Sequence, residues 1–179
     1  ASLATRLMGE IRTLNRLGAI TPGIANAVSK LRLVRVAINP MMNLHPKRSL
    51  PPFSRSLASR WVRGVARVGG PRVAFFGDCF TMYNESEIGV SARRLAEAFG
   101  YRATLADVGC CARAKISLGL LGEAIDEADA TLERLRPLIE DSSVRAILFL
   151  EPSCLSAVKD DWLSLKLRTP IALRRALSE

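Results

Sequence analysis

Histidine is almost missing from this sequence: His45 is the only one among 179 residues. A Ser-His-Asp type of hydrolase would have to use it, and it lies in a proline-rich stretch, so that chemistry is set aside. Secretory patterning is also lacking, because Arg6, Glu10 and Arg12 interrupt the early leucines. No apolar run approaches the roughly 20 residues that span a bilayer. The expectation is therefore a cytoplasmic protein. A chain that begins at Ala1 is read as a processed product or a fragment. Gly77-Asp78 has no glycine-rich continuation, so a dinucleotide fingerprint is absent. Cys-x-x-Cys spacing is missing too, which argues against a simple structural zinc knuckle.

Acidic residues are scarce in one half only. Residues 1–67 hold twelve Lys/Arg against Glu10 alone, whereas residues 68–179 hold fourteen basic and sixteen acidic residues. A basic half invites a nucleic-acid reading. Its cations are scattered singly, however, and Phe53 and Trp61 are its only aromatics. That is too few for a base-stacking platform, so no nucleic acid is expected. Docking on an acidic partner or domain is the preferred reading.

Periodicity divides the chain. Leu3, Leu7, Ile11, Leu14 and Leu17 recur at steps of four and three, one face of an amphipathic helix over 2–17. Thr21-Pro22 reads as a cap and first helical residue. Ile24, Val28, Leu31 and Val34 mark a second helix, which Pro40 should stop. Pro40, Pro46, Pro51 and Pro52 make 39–53 an extended crossing segment, and Leu57, Trp61 and Val65 suggest a short helix. From Arg72 the pattern becomes strand, helix, strand, helix, strand, helix. The strands are Val73–Phe76, Arg102–Ala106 and Ala146–Leu150. The helices cover 86–99, with Ile88, Leu95 and Phe99 inward, then 114–140 and 154–166. The fold class expected is α/β: a small, Rossmann-like, three-stranded parallel sheet with helices at 71–179, preceded by a helical, Pro-rich extension at 1–70.

The cysteines follow the strands. Cys79 comes after the first, Cys110 and Cys111 after the second, and Cys154 after the third. Ligands bind outside the carboxyl ends of strands in open parallel sheets, so the three loops point at one place. Four thiols without a secretory leader suit metal binding or redox chemistry better than a disulfide framework. Thiolates prefer iron–sulfur clusters or zinc. A reversible dithiol/disulfide needs no metal and stays open as the alternative, as does a partner-docking module with idle cysteines. Asp78 and Glu151 beside the cysteines are read as helix caps. Tyr83 and Asn84 are placed in the loop after Cys79, where they could contact a cluster or ligand, the alternative being turn formation by Asn84. His45 is read as a surface or packing residue.

Asp78-Cys79-Phe80, Gly109-Cys110-Cys111-Ala112 and Glu151-Pro152-Ser153-Cys154-Leu155 together resemble the cysteine-rich CCG domain. That domain occurs in heterodisulfide reductase, in the iron–sulfur part of glycolate oxidase and in lactate-utilisation proteins. The segment Phe75–Leu163 is similar to the first CCG repeat of bacterial FAD-linked oxidase fusions of the D-2-hydroxy-acid dehydrogenase type. His45-Pro46-Lys47-Arg48 to Pro51-Pro52-Phe53 resembles the linker before it. The resemblance implies an electron-transfer module of an iron–sulfur and flavin-dependent oxidoreductase. A 2-hydroxy acid such as lactate, glycolate or 2-hydroxyglutarate would be its substrate. Cys79, Cys110, Cys111 and Cys154 would ligate a 4Fe-4S type cluster. FAD would sit on a separate domain or subunit, so the isolated chain would lack the catalytic flavin. Implied partners are flavin- and ferredoxin-type domains or subunits and a second CCG repeat, with room for peripheral membrane association of the assembly. Two departures are clear: Ala112 replaces the family's glycine after the cysteine pair, and Glu151 stands where heterodisulfide reductase has a cysteine.

Overall fold

Strand β1, Arg72–Phe76, runs through the centre of the protein. Val73, Ala74, Phe75 and Phe76 are all buried, as a strand covered on both faces requires. The computed structural model describes residues 1–62 and 69–178. Strands β2 (Arg102–Ala106) and β3 (Val144–Leu148) flank β1 in a parallel sheet of order β2-β1-β3. The α/β expectation holds. The third strand starts two residues earlier than the apolar run suggests, because Val144 pairs with Arg72.

Alternation along β1 divides the core. Val73 and Phe75 face a cluster with Leu57, Trp61, Met82 and Tyr83. Phe76 faces the other cluster, which contains Cys110, Cys111, Cys154, Leu132, Leu135 and Trp162. Phe76 stacks on Phe149, with ring centroids 4.7 Å apart. Each fully buried large apolar side chain in such a core contributes about 1.5–3 kcal/mol.

Before the sheet the described residues form five helices: α1 (Leu3–Gly9), α2 (Ile11–Gly18), α3 (Pro22–Lys30), α4 (Arg32–Met41) and α5 (Leu57–Trp61). The single helix expected over 2–17 breaks at Glu10, whose backbone leaves helical geometry. The second expected helix breaks at Leu31, which is extended with ψ 131°. Pro40 does not end α4. It sits in the last turn, and the helix runs on to Met41 before Asn43 takes a left-handed φ of 52°. Thr21 occupies the N-cap position of α3 without a side-chain cap bond. Val65, the last residue of the expected stripe there, lies outside the described residues. The stripe residues Leu3, Leu17, Ile24, Val28 and Leu31 are exposed.

After β1 come α6 (Cys79–Tyr83) and α7 (Ser86–Ala98). After β2 come α8 (Arg113–Ser117) and α9 (Leu121–Ile139), two helices in place of the single one expected. After β3, α10 (Pro152–Ser156), a π-helical turn (Ala157–Asp161) and α11 (Trp162–Ser164) run on in sequence, and α12 (Ile171–Ser178) closes the described chain. The inward face of α7 differs from the expectation. Ile88, Leu95 and Phe99 are exposed, while Ser86, Gly89 and Arg93 are buried. The reason is close packing against α5: a Cβ on Gly89 would overlap the Leu57 side chain.

Candidate metal or redox centre at the strand ends

Three loops leave the carboxyl end of the sheet and bring four sulfurs together. Cys79 is the first residue of α6, and Asp78 caps that helix by accepting from the N–H groups of Phe80 and Thr81 at 3.0 and 2.9 Å. The Thr81 hydroxyl donates to the other carboxylate oxygen. Glu151 caps α10 by accepting from Ser153 N–H, which places Cys154 in the first turn. Both carboxylates are therefore helix caps, as expected. Asp78 is 1% exposed, so Asp78→Ala strands buried donors as well as removing the cap. The expected cost is about 1–2 kcal/mol of stability, read from urea unfolding.

The paired cysteines are set by backbone geometry. Gly109 has φ +134°, and Ala112 is held left-handed at φ 61°, ψ 9°. Alanine thus adopts the conformation for which glycine is the low-cost residue. Thr131 of α9 donates its hydroxyl to Cys110 O at 3.0 Å, and Trp162 Nε1 donates to Cys111 O at 3.1 Å. These two bonds fix the backbone of both cysteines.

The sulfurs pair across the loops. Cys79 Sγ lies 3.5 Å from Cys110 Sγ, and Cys111 Sγ lies 2.8 Å from Cys154 Sγ. Cys110, Cys111 and Cys154 are buried, Cys79 is half-buried, and all four are free thiols. They line a cleft of about 430 Å³ with Ile11, Asn15, Phe80 and Arg113. That volume lies within the roughly 300–1,000 Å³ range of small-ligand sites.

Arg12 of α2 joins the site without any signal in the sequence. Its Nη1 donates to Gly77 O at 2.8 Å and reaches Cys79 Sγ at 3.8 Å, while Nη2 pairs with Asp107 at 2.5 Å. Nothing in spacing marks a residue 67 positions away from Cys79 as its neighbour. His45 is exposed, and its Nδ1 accepts only from Lys47 N–H, so it stays outside the site. Tyr83 is buried under Arg12, whose guanidinium lies 5.5 Å from the ring centroid. Asn84 donates to Pro52 O and ties down the proline-rich segment.

The thiols divide in acidity. Hydrogen bonding by Cys111 and then Cys79 lowers the Cys110 thiol to about 3. Hydrogen bonding with Cys110, then burial, pushes Cys79 well up. Contacts with Cys110 and Cys154, then burial, do the same to Cys111. Cys110 is the natural first thiolate. Unfolded thiols ionise near pH ~8.5. The Cys110 contribution to stability is complete above that pH and is lost toward acid. The contributions of Cys79 and Cys111 are complete below it and are lost as the pH rises. The reduced, metal-free chain should therefore lose stability between about pH 8.5 and 10 in urea unfolding. Cys111→Ser should flatten that loss; an unchanged slope would contradict the assignment.

An all-thiol donor set, two from helix first turns and two from the loop before α8, inside a cleft, fits the chemistry of an iron–sulfur cluster. Among the described residues, no three His, Cys, Asp or Glu side chains converge on a single ion position. The arrangement is a row of sulfurs across a cleft, suited to a group with several metal atoms or to thiol–disulfide chemistry.

No family model matches the chain, and no solved structure matches it significantly. Two curated relatives do match. The chain is 26% identical over 162 residues to one subunit of the anaerobic glycerol-3-phosphate dehydrogenase of Escherichia coli strain K12, and equally so to that of strain O157:H7. The alignment covers 88% of this chain but 39% of each relative. The chain therefore spans about two fifths of the length of the relatives it matches. What it resembles is part of one subunit of a dehydrogenase, an oxidoreductase of more than one subunit.

Proposed function

We propose that this chain is an electron-transfer module of an iron–sulfur oxidoreductase, with Cys79, Cys110, Cys111 and Cys154 holding the cluster. The observation that carries the reading is the meeting of four free thiols from three strand-end loops in one cleft. Similarity to a dehydrogenase subunit supports it. A cluster bound there would accept and pass on single electrons. The protein's part is to supply thiolates, beginning with Cys110, and to keep Arg12 as a fixed positive charge beside Cys79.

The finer reading follows the CCG resemblance. The cluster is of the 4Fe-4S type. The oxidised substrate is a 2-hydroxy acid, and its hydride would go to an FAD carried by another domain or subunit. The relatives' name offers glycerol 3-phosphate as the rival substrate. Either way an alcohol becomes a carbonyl at the flavin. Flavin- and ferredoxin-type domains and a second CCG repeat are the proposed partners, in the cytoplasm. Residues 1–70 form a docking extension and 71–179 the cysteine-rich domain. The basic half supports docking: among the described cations of 1–62, only Arg12 and Arg60 form ion pairs. No described helix is long and apolar enough to cross a membrane.

A second reading rests on the Cys111–Cys154 sulfur separation of 2.8 Å. That pair would cycle between dithiol and disulfide without metal. Iron and acid-labile sulfide analysis of anaerobically purified protein, with bound subunits retained, separates the two. Several iron and sulfide per chain is the expected result. A trace of iron together with a Cys111–Cys154 disulfide in peptide mapping would establish the second reading.

A further inference from the structure

A second cleft, of about 500 Å³, opens beside the cysteines between α2 and the loop that follows β2. Its charge-bearing lining residues are Arg12, Arg16 and Arg134, with Asp107 the single acid. Arg12 and Asp107 neutralise each other. Arg16 and Arg134 have no ion-pair partner among the described residues. Arg134 donates Nη1 only to Val108 O, at 3.1 Å. Two uncompensated guanidiniums therefore border one concave space.

Tyr83 supplies the second, independent observation. It is 5% exposed and lines the same cleft. Its hydroxyl makes no hydrogen bond to the described residues and is open to the cleft, so it is free to donate to a bound group. Burial raises its pKa, so the hydroxyl keeps its proton and remains a donor. Donors and positive charge thus converge, and the lone carboxylate is already engaged.

We propose that this cleft binds a small oxyanion, a phosphate or carboxylate group, held by Arg16 and Arg134 with the Tyr83 hydroxyl as a further donor. Guanidinium forks match the oxygen geometry of both groups bidentately. A phosphate dianion or a dicarboxylate balances the two free charges. Arg12 borders both clefts, because the same side chain that lines this one touches Cys79 Sγ. The anion thus sits one side chain away from the sulfurs. The inference does not depend on what the cysteines hold.

The test is calorimetric titration of the full chain with inorganic phosphate and, separately, with succinate, at ionic strength fixed by chloride. Saturable binding of one or both is expected, and the tighter of the two names the group. Arg16→Ala with Arg134→Ala should weaken it at least about tenfold. Tyr83→Phe should weaken it severalfold, a lost hydrogen bond to a charged group. Both arginines are exposed, so the double variant should fold even if Tyr83→Phe does not. The absence of saturable binding of either anion by about 20 mM would overturn the proposal. So would undiminished binding by a folded Arg16→Ala, Arg134→Ala protein.

Discussion

Gly109→Ala is expected to cost about 2–4 kcal/mol of stability and to disrupt the cysteine pair in whatever protein still folds. Two effects add. At φ +134° an L-residue is strained by about 1–3 kcal/mol. The new Cβ would also overlap Thr131 Oγ1, the group that donates to Cys110 O. Relief requires either the loop or Thr131 to move, and both set where Cys110 sits. The measurement is urea unfolding combined with iron content. A variant as stable and as iron-loaded as the parent would show that the loop does not control the site. Thr131→Val separates the effects, since it removes the hydrogen bond with no demand on φ and should cost about 1 kcal/mol.

The second large effect is expected from single Cys→Ser changes at 79, 110, 111 and 154. Each should reduce bound iron at least about tenfold after anaerobic reconstitution, because an alkoxide is a far poorer soft-metal ligand than a thiolate. Stability of the metal-free chain should change little at Cys79, the one half-buried thiol. Buried Cys111 packs among core residues and touches Cys154, so serine there should cost more. Uniform iron loss with unequal stability loss is the signature of one shared site. Iron loss confined to two of the four variants would show that the sulfurs do not act together.

How much of this is legible in the sequence varies with the physics of each element. β2 matches its expected span, and β1 differs by one residue, because short apolar or β-branched runs bounded by Gly/Pro have few alternatives. Convergence of the cysteines is legible for the same reason: in a parallel sheet every crossover returns the chain to the same edge. The caps at Asp78 and Glu151 follow from local chemistry alone.

Other features depend on contacts that periodicity does not encode. The buried face of α7 is Ser86, Gly89 and Arg93 because Leu57 approaches too closely for large side chains. A reading of apolar periodicity chooses Ile88, Leu95 and Phe99 instead. The breaks at Glu10 and Leu31 occur within continuous apolar stripes, with no proline to announce them. Ala112 reads as a poor substitute for glycine. It adopts the left-handed conformation nonetheless, held between Cys111, pinned by Trp162, and the start of α8. Arg12 reaches the site only through tertiary packing of α2 against α6.

The central claim is that four cysteines make one metal-binding site. Spectra of the anaerobically reconstituted protein, recorded oxidised and then after dithionite, test it most directly when combined with titration of accessible thiols under denaturing and native conditions. The account predicts a broad thiolate-to-iron absorption that bleaches on reduction, with all four thiols protected in the loaded protein and all four titratable once iron is removed. A colourless protein that binds no iron, and whose four thiols react freely or form a disulfide, would contradict it.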